Sequence, residues 1–205
     1  MFFTPGTHRE HGLRHDPFKA FVSPRPIGWI STMNEEGVTN LAPYSFFNAV
    51  SNDPPCVMFA SSTRPDNGAR KDSQVNVERT GEFVCSIVGH DQREAMNTSS
   101  LHLPYGEDEM PVSGLVGEPS RLVRPLRVRG APAHLECRYL QSVQMPCRRE
   151  GRENWVIFGE VLGMHVDDSI ISDGLVDVTR YRPVSRLGYM DFATISEVYA
   201  MGRPD

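Results

Sequence analysis

Apolar and polar positions alternate along most of this chain in short runs separated by glycine, proline and acidic turns, the pattern of strands rather than of long helices. Residues 27–32 are rich in strand formers and end at Asn34-Glu35-Glu36-Gly37, a turn suited to a hairpin, after which residues 38–41 resume the strand. Pro54 and Pro55 force an extended backbone into Cys56-Val57-Met58-Phe59-Ala60, an uninterrupted apolar run that suits a strand covered on both faces. Residues 82–88 predict the next strand. Residues 133–143 predict a long one, with Leu135, Cys137 and Tyr139 on one side and His134 and Glu136 on the other. Residues 155–166 carry the strongest strand signal, with Gly159 and Gly163 where a barrel strand needs to bend. Helices are few: a short turn over 17–22, a helix with Asp72 as N-cap and Gly81 as stop, and another over 90–101 with Ala95 and Met96 inward. Six or so strands joined by hairpins close into a small antiparallel barrel more naturally than they spread as an open sheet, so the expected class is mainly β with peripheral helices.

Length and charge narrow the picture. The 205 residues suit one domain, with residues 1–16 as an N-terminal arm and residues 102–130, broken by prolines and glycines, as a loop-rich excursion. Twenty-one basic against 26 acidic residues give a net charge of −5, which argues against nucleic acid and anionic lipid and for a small-molecule partner. Arg121, Arg124, Arg127 and Arg129 lack interleaved aromatics and read as a solvated edge. No apolar run approaches the roughly 20 residues of a membrane span, and no leader pattern opens the chain, so a cytoplasmic location is expected. Cys56, Cys85, Cys137 and Cys147 show no metal-ligand spacing and read as free thiols of a reducing compartment. His8, His11 and His15 would align on a helix, but Pro5, Gly6 and Gly12 disfavour one, and no metal is expected.

Candidate chemistry concentrates between residues 23 and 80. Ala42-Pro43-Tyr44-Ser45-Phe46-Phe47-Asn48 mixes aromatics with hydroxyls and an amide, which together offer a flat apolar ligand both a surface and edge hydrogen bonds. If the strand alternates, Tyr44, Phe46 and Asn48 share one face and Ser45 and Phe47 the other, so a bend or bulge is expected if both Ser45 and Asn48 reach a ligand. Downstream, Ser61, Ser62, Arg64 and Lys71 gather hydroxyls and cations near a helix start, an arrangement suited to a phosphate monoester or simply to a capped helix with solvated cations. There is no G-x-G-x-x-G after a strand, no P-loop and no nucleophile elbow.

RPIGWIST, NLAPYSFFNAVSNDPP, the apolar strand after it, KDS opening a helix and ERTGEFVCSIV occur in an order and spacing that resemble the flavin reductase-like family of FMN-binding split β-barrels. The resemblance is densest over about a third of the chain. It implies that Trp29, Ser31 and Thr32 line the flavin ring and ribityl chain, that Ala42, Pro43, Tyr44, Ser45 and Asn48 meet the pyrimidine edge and N5, and that Ser61, Ser62, Arg64 and Lys71 hold the phosphate. Ser45 is the preferred contact to a ring nitrogen; His134, a lone histidine on a later strand, reads first as structural, with an approach to the ring as the alternative. For Phe46 core packing competes evenly with flavin contact. The resemblance further implies a homodimer and a flavin that exchanges hydride between NADH or NADPH and FMN or a small acceptor. A flavin-binding electron carrier or storage module fits the same residues.

Overall fold

The computed structural model describes residues 1–204. Alternation and turn chemistry place the expected hairpin at Gly28–Met33 (β1) and Thr39–Tyr44 (β2), paired antiparallel around a turn whose Gly37 takes φ +85°. The main sheet continues with Phe47–Asn52 (β3), Pro55–Ser62 (β4), Glu82–Ile87 (β5), Ala133–Met145 (β6) and Asn154–Val166 (β7), all antiparallel, in the order β2-β1-β5-β6-β7-β4-β3. Its two edge strands, β2 and β3, are joined by only Ser45 and Phe46. From Tyr44 to Phe47 is three residue steps, at most about 11 Å, so the sheet must curl until its edges meet at that corner, while β2 and β3 themselves stay unpaired: a barrel split along one seam. The bend at Ser45-Phe46 supplies the irregularity expected there. A further register shift falls between Ala49 and Ser51.

Glycine makes the curl sterically possible. A Cβ on Gly28 would lie 2.5 Å from Cδ2 of Phe47, and one on Gly159 2.4 Å from Cε1 of Phe83. The β6–β7 register shifts on the N-terminal side of Gly159 and of Gly163, so the expected bending at these residues takes the form of bulges.

The barrel interior is filled by Ile30, Tyr44, Phe47, Phe59, Phe83, Cys85, Cys137 and Ile157, with Val77 entering from a helix over Asp72–Thr80. A second core lies on the other side of β1 and β2, where Trp29 and Leu41 meet Met96 from the helix Arg93–Thr98, and Met110 from the short helix Glu109–Val112. The helix expected over 90–101 is therefore split, a 3₁₀ turn at His90–Gln92 leading into the α-helical part. The helix expected at 17–22 forms over Phe18–Phe21. Near the amino terminus His11 stacks on Phe3 and His15 tilts against Tyr189, with ring centroids 5.6 and 5.5 Å apart. Three of the four arginines read as a solvated edge pair with carboxylates: Arg124 with Glu82, and Arg127 and Arg129 with Glu118. Among the described residues no helix is long and apolar enough to cross a membrane.

Because Phe83 is fully buried and cannot swing away, Gly159→Ala should destabilise the protein by about 1–3 kcal/mol, the usual range for overpacking a core. Denaturant unfolding of the two proteins measures this; coincident curves would contradict the packing.

Candidate functional site

One cleft opens where the end of β2, the start of the helix Asp72–Thr80 and the segment 99–103 come together. From β2 it takes Asn40, Ala42 and Tyr44, three alternate residues that share one face, and the intervening Pro43 at its rim. Arg64 and Lys71 reach it from the loop after β4, and Glu109 from the excursion. Its enclosed volume is about 90 Å³, far below the roughly 300–1,000 Å³ of small-molecule pockets. A flat ligand of any size therefore extends beyond its mouth.

The helix start is built differently from the sequence expectation. Lys71, not Asp72, occupies the N-cap position, and it supplies no side-chain cap to the backbone. Asp72 is the first helical residue, and its carboxylate is buried against the guanidinium of Arg64 in an ion pair. Arg64 is fixed further by donating to the carbonyl of Leu103, 2.9 Å away. The charge of Arg64 is thus already matched internally, whereas the Lys71 ammonium lies 5.5 Å from the centre of the Tyr44 ring and is held below its usual value by burial and then by Arg64. An uncapped helix start leaves backbone N–H groups free, and together with an unmatched ammonium it suits an anion.

Behind the cleft the helix is joined to the β1–β2 hairpin by a buried amide and hydroxyl network. Asn40 donates to Oγ of Ser73 at 2.8 Å, and Asn76 donates to Oγ1 of Thr32 at 3.1 Å. Tyr44 sits beside this network with its hydroxyl buried and unpartnered, close to Ser61 and Ser73 but not in hydrogen-bonding geometry with either. Burial pushes its ionisation up to about 12, so it stays a neutral donor. The Ser61 hydroxyl is likewise buried without a partner. The unpartnered Tyr44 hydroxyl and a Lys71 ammonium without an ion pair line one cleft, and a polar, phosphorylated ligand would complete both, so the residues present fit a flavin mononucleotide.

Of the residues expected at the site, Ala42, Pro43, Tyr44, Arg64 and Lys71 meet at the cleft. Trp29, Ser31 and Thr32 do not line it; all three lie on β1, fully buried within the sheet. Trp29 acts indirectly: its Nε1 donates to Oγ of Ser99 at 2.8 Å, which fixes the wall opposite β2. Ser45 lines a neighbouring pocket, and Asn48 is exposed on β3 with its Oδ1 accepting from the Ala49 amide. Ser62 is exposed outside the cleft, and Phe46 is part-exposed beneath the side chains of Lys19 and Arg25. His134 faces a separate pocket, where its Nδ1 lies 2.9 Å from the Ser86 hydroxyl, and burial lowers its ionisation to about 4.

Asn40, Ser73, Ser99 and Glu109 escape sequence reasoning. Asn40 was recoverable from the two-residue period that places it with Ala42 and Tyr44; Glu109 carries no such signal, being one acid in the run Glu107-Asp108-Glu109 of an irregular segment. The structure buries Glu109, which accepts from the Leu41 amide at 2.7 Å, and burial raises its ionisation to about 7.

The Flavin reductase like domain family model matches residues 21–185. A protein of Aquifex aeolicus is 39% identical over 168 residues, covering 82% of each chain. Among solved structures, nitrilotriacetate monooxygenase component B from Bacillus cereus superposes with a TM-score of 0.87 at 25% identity, over 98% of each chain. Flavoredoxin of Desulfovibrio vulgaris (Miyazaki F) superposes with a TM-score of 0.75 at 19% identity, over 98% of this chain and 97% of its own.

A carboxyl whose folded value lies above its unfolded value contributes stability that is complete below the unfolded value and lost as pH rises through the folded one. For Glu109 that window runs from about 4.5 to about 7. Glu109→Gln keeps the acceptor for Leu41 but removes the charge. The melting temperature of the variant relative to the parent should therefore rise between about pH 5 and about pH 8; a difference independent of pH would show that Glu109 titrates normally.

Proposed function

The chain belongs to the flavin reductase-like family, a family of flavin-related oxidoreductases, and from that footing we propose that it binds FMN at the β2 cleft and uses it to pass hydride from NADH or NADPH to flavin or to a small acceptor. The observation that carries this reading is the Lys71 ammonium, without an ion pair, at an uncapped helix start facing the Ala42-Pro43-Tyr44 wall. When bound, the flavin supplies the hydride and one-electron chemistry itself.

The chain's own residues do the positioning. Lys71 and the free N–H groups of the helix start hold the phosphate, with the buried hydroxyl of Ser61 nearby. Ala42 and Pro43 offer a flat apolar edge, and Tyr44 donates a hydrogen bond from a phenol that burial keeps protonated. Asn40 is committed to Ser73 and so acts on the helix rather than on the ligand. Glu109, poised near neutrality, can hold or release a proton at the closed side of the cleft. The shallow enclosed volume and the exposed β3 edge beside it favour a homodimer in which a second chain covers the part of the ligand that this one leaves open. Light scattering should give about twice the chain mass; a monomer that binds FMN tightly would show that one chain completes the site.

FMN should bind much more tightly than riboflavin. A charge-assisted hydrogen bond is worth about 1.5–3 kcal/mol, so Lys71→Ala should weaken FMN binding by roughly tenfold or more and leave riboflavin binding unchanged. Arg64→Ala should cost both flavins, because it strands the buried Asp72 carboxylate. Flavin titrations followed by fluorescence quenching measure all four constants; equal curves for FMN and riboflavin would remove the phosphate site. Anaerobic mixing with FMN and NADH or NADPH should bleach the flavin absorbance catalytically, and a bleach that never exceeds one turnover would make the protein a carrier.

A further inference from the structure

Next to the cleft, and sharing Pro43 and Ser100 with it, lies a second pocket of about 250 Å³ that flavin binding as described above leaves unused. Lys19, Arg25 and Arg186 all line it, and among the described residues no carboxylate does. That is unusual for a chain with net charge −5, in which Arg64, Arg70, Arg124, Arg129 and Arg138 each have a carboxylate partner.

Arg25 is the fixed member. The residue is only 6% exposed, and its guanidinium donates to the carbonyls of Lys19 and Val22, both at 2.5 Å, and of Leu187 at 2.8 Å. Its Nε is buried without a partner. Three carbonyls orient this cation, yet none neutralises it. Burial and then the neighbouring Arg186 lower its ionisation, the signature of a positive charge that meets another positive charge and no acid.

A clasp holding residues 19, 22 and 187 together accounts for Arg25 alone. It does not account for the convergence of the other two. Arg186 lies over the Phe192 ring, 4.2 Å from its centre, and uses Nη2 to hold the Tyr189 carbonyl at 2.6 Å, which leaves the rest of its fork without a protein partner in the hydrogen-bond pattern. Lys19 is exposed and has no ion pair; its ammonium and the Arg25 guanidinium sit 5.8 and 5.7 Å from the centre of the same Phe46 ring. Between the cations the walls are apolar, from Ile27, Met96 and Phe192, with the Ser45 hydroxyl among them.

We propose that this pocket binds the carboxylate or phosphate head of a small organic anion, held by Lys19 and Arg186 in the field of Arg25, with its apolar body against Met96 and Phe192 and its free end directed past Pro43 into the cleft. At about 250 Å³ the pocket falls just below the roughly 300–1,000 Å³ of pockets that enclose whole ligands, so it takes a head group and a short body rather than a dinucleotide. Its role as the seat of the second substrate beside a flavin rests on the function proposed above; its anion specificity does not.

Benzoate and inorganic phosphate are the probes, titrated by calorimetry into the full chain with and without FMN. Saturable benzoate binding that weakens with added salt is expected, because contacts between part-exposed charges are screened. Benzoate binding alone assigns the pocket to a carboxylate, and phosphate binding as well assigns it to a phosphorylated compound such as a nucleotide. Lys19→Gln combined with Arg186→Gln should weaken whichever probe binds by at least about tenfold, since charge-assisted contacts are lost, while the affinity for FMN stays unchanged. Should the double variant fail to fold, Lys19→Gln alone, at an exposed position, should still weaken the probe several-fold. The proposal falls if neither probe binds, or if these variants bind the probe as tightly as the parent. Anion binding by a chain that does not bind FMN would leave the pocket standing and overturn the flavin reading; FMN binding without anion binding would do the reverse.

Discussion

The two-residue connection at Ser45-Phe46 is the constraint on which the rest of the structure depends. It ties together the opposite edges of a seven-stranded antiparallel sheet, so closure is imposed by covalent chain length rather than by a final ladder of hydrogen bonds. Tyr44 and Phe47, on either side of the link, both turn into the barrel and help to fill its core. Because β2 ends at this corner, its last residues stand beside an open seam instead of a neighbouring strand. The cleft exists there for that reason, and so does the adjoining pocket that shares Pro43 with it.

Burial without full compensation is the second organising feature. Around the cleft the helix and hairpin are joined by amide and hydroxyl bonds, which orient side chains without consuming charge. Several groups are left incomplete at the same place: the hydroxyls of Tyr44 and Ser61, and the ammonium of Lys71. A folded protein seldom leaves buried polar groups unsatisfied without a reason. Here Tyr44 and Lys71 line the one concavity to which β2, the helix start and the excursion all contribute, with Ser61 beside Tyr44. Trp29 belongs to the same logic from the rear, since its single hydrogen bond to Ser99 links the second core to the far wall.

Much of the architecture was legible in the sequence because hairpin chemistry and two-residue periodicity are local. The turn at Gly37, the bulges beside Gly159 and Gly163 and the strand character of residues 154–166 follow from neighbours a few positions apart. The site was legible in part. Ala42, Pro43, Tyr44, Arg64 and Lys71 come together, but the depth at which β1 lies keeps Trp29, Ser31 and Thr32 off the cleft, and depth is a property of the whole sheet. Asp72 was misplaced by a single residue because an acid at a helix start reads equally as a cap or as the partner of a distant cation. Glu109 and the cationic pocket depend on contacts between segments far apart in the chain. Arg25 and Arg186 are 161 positions apart yet pair within a small three-stranded sheet of Arg25–Pro26, Val184–Arg186 and Phe192–Thr194.

The buried pairing of Arg64 with Asp72 bears on the life history of the molecule. Arg64 already has its partner in Asp72, so that ion pair stands without any ligand, and of the two cations only Lys71 is left open to an arriving anion. The Arg64–Asp72 pair is consequently balanced by the chain's own charges. Folding at the helix start therefore does not wait for a ligand: the first turn is pinned to the loop after β4 by charges the chain itself supplies.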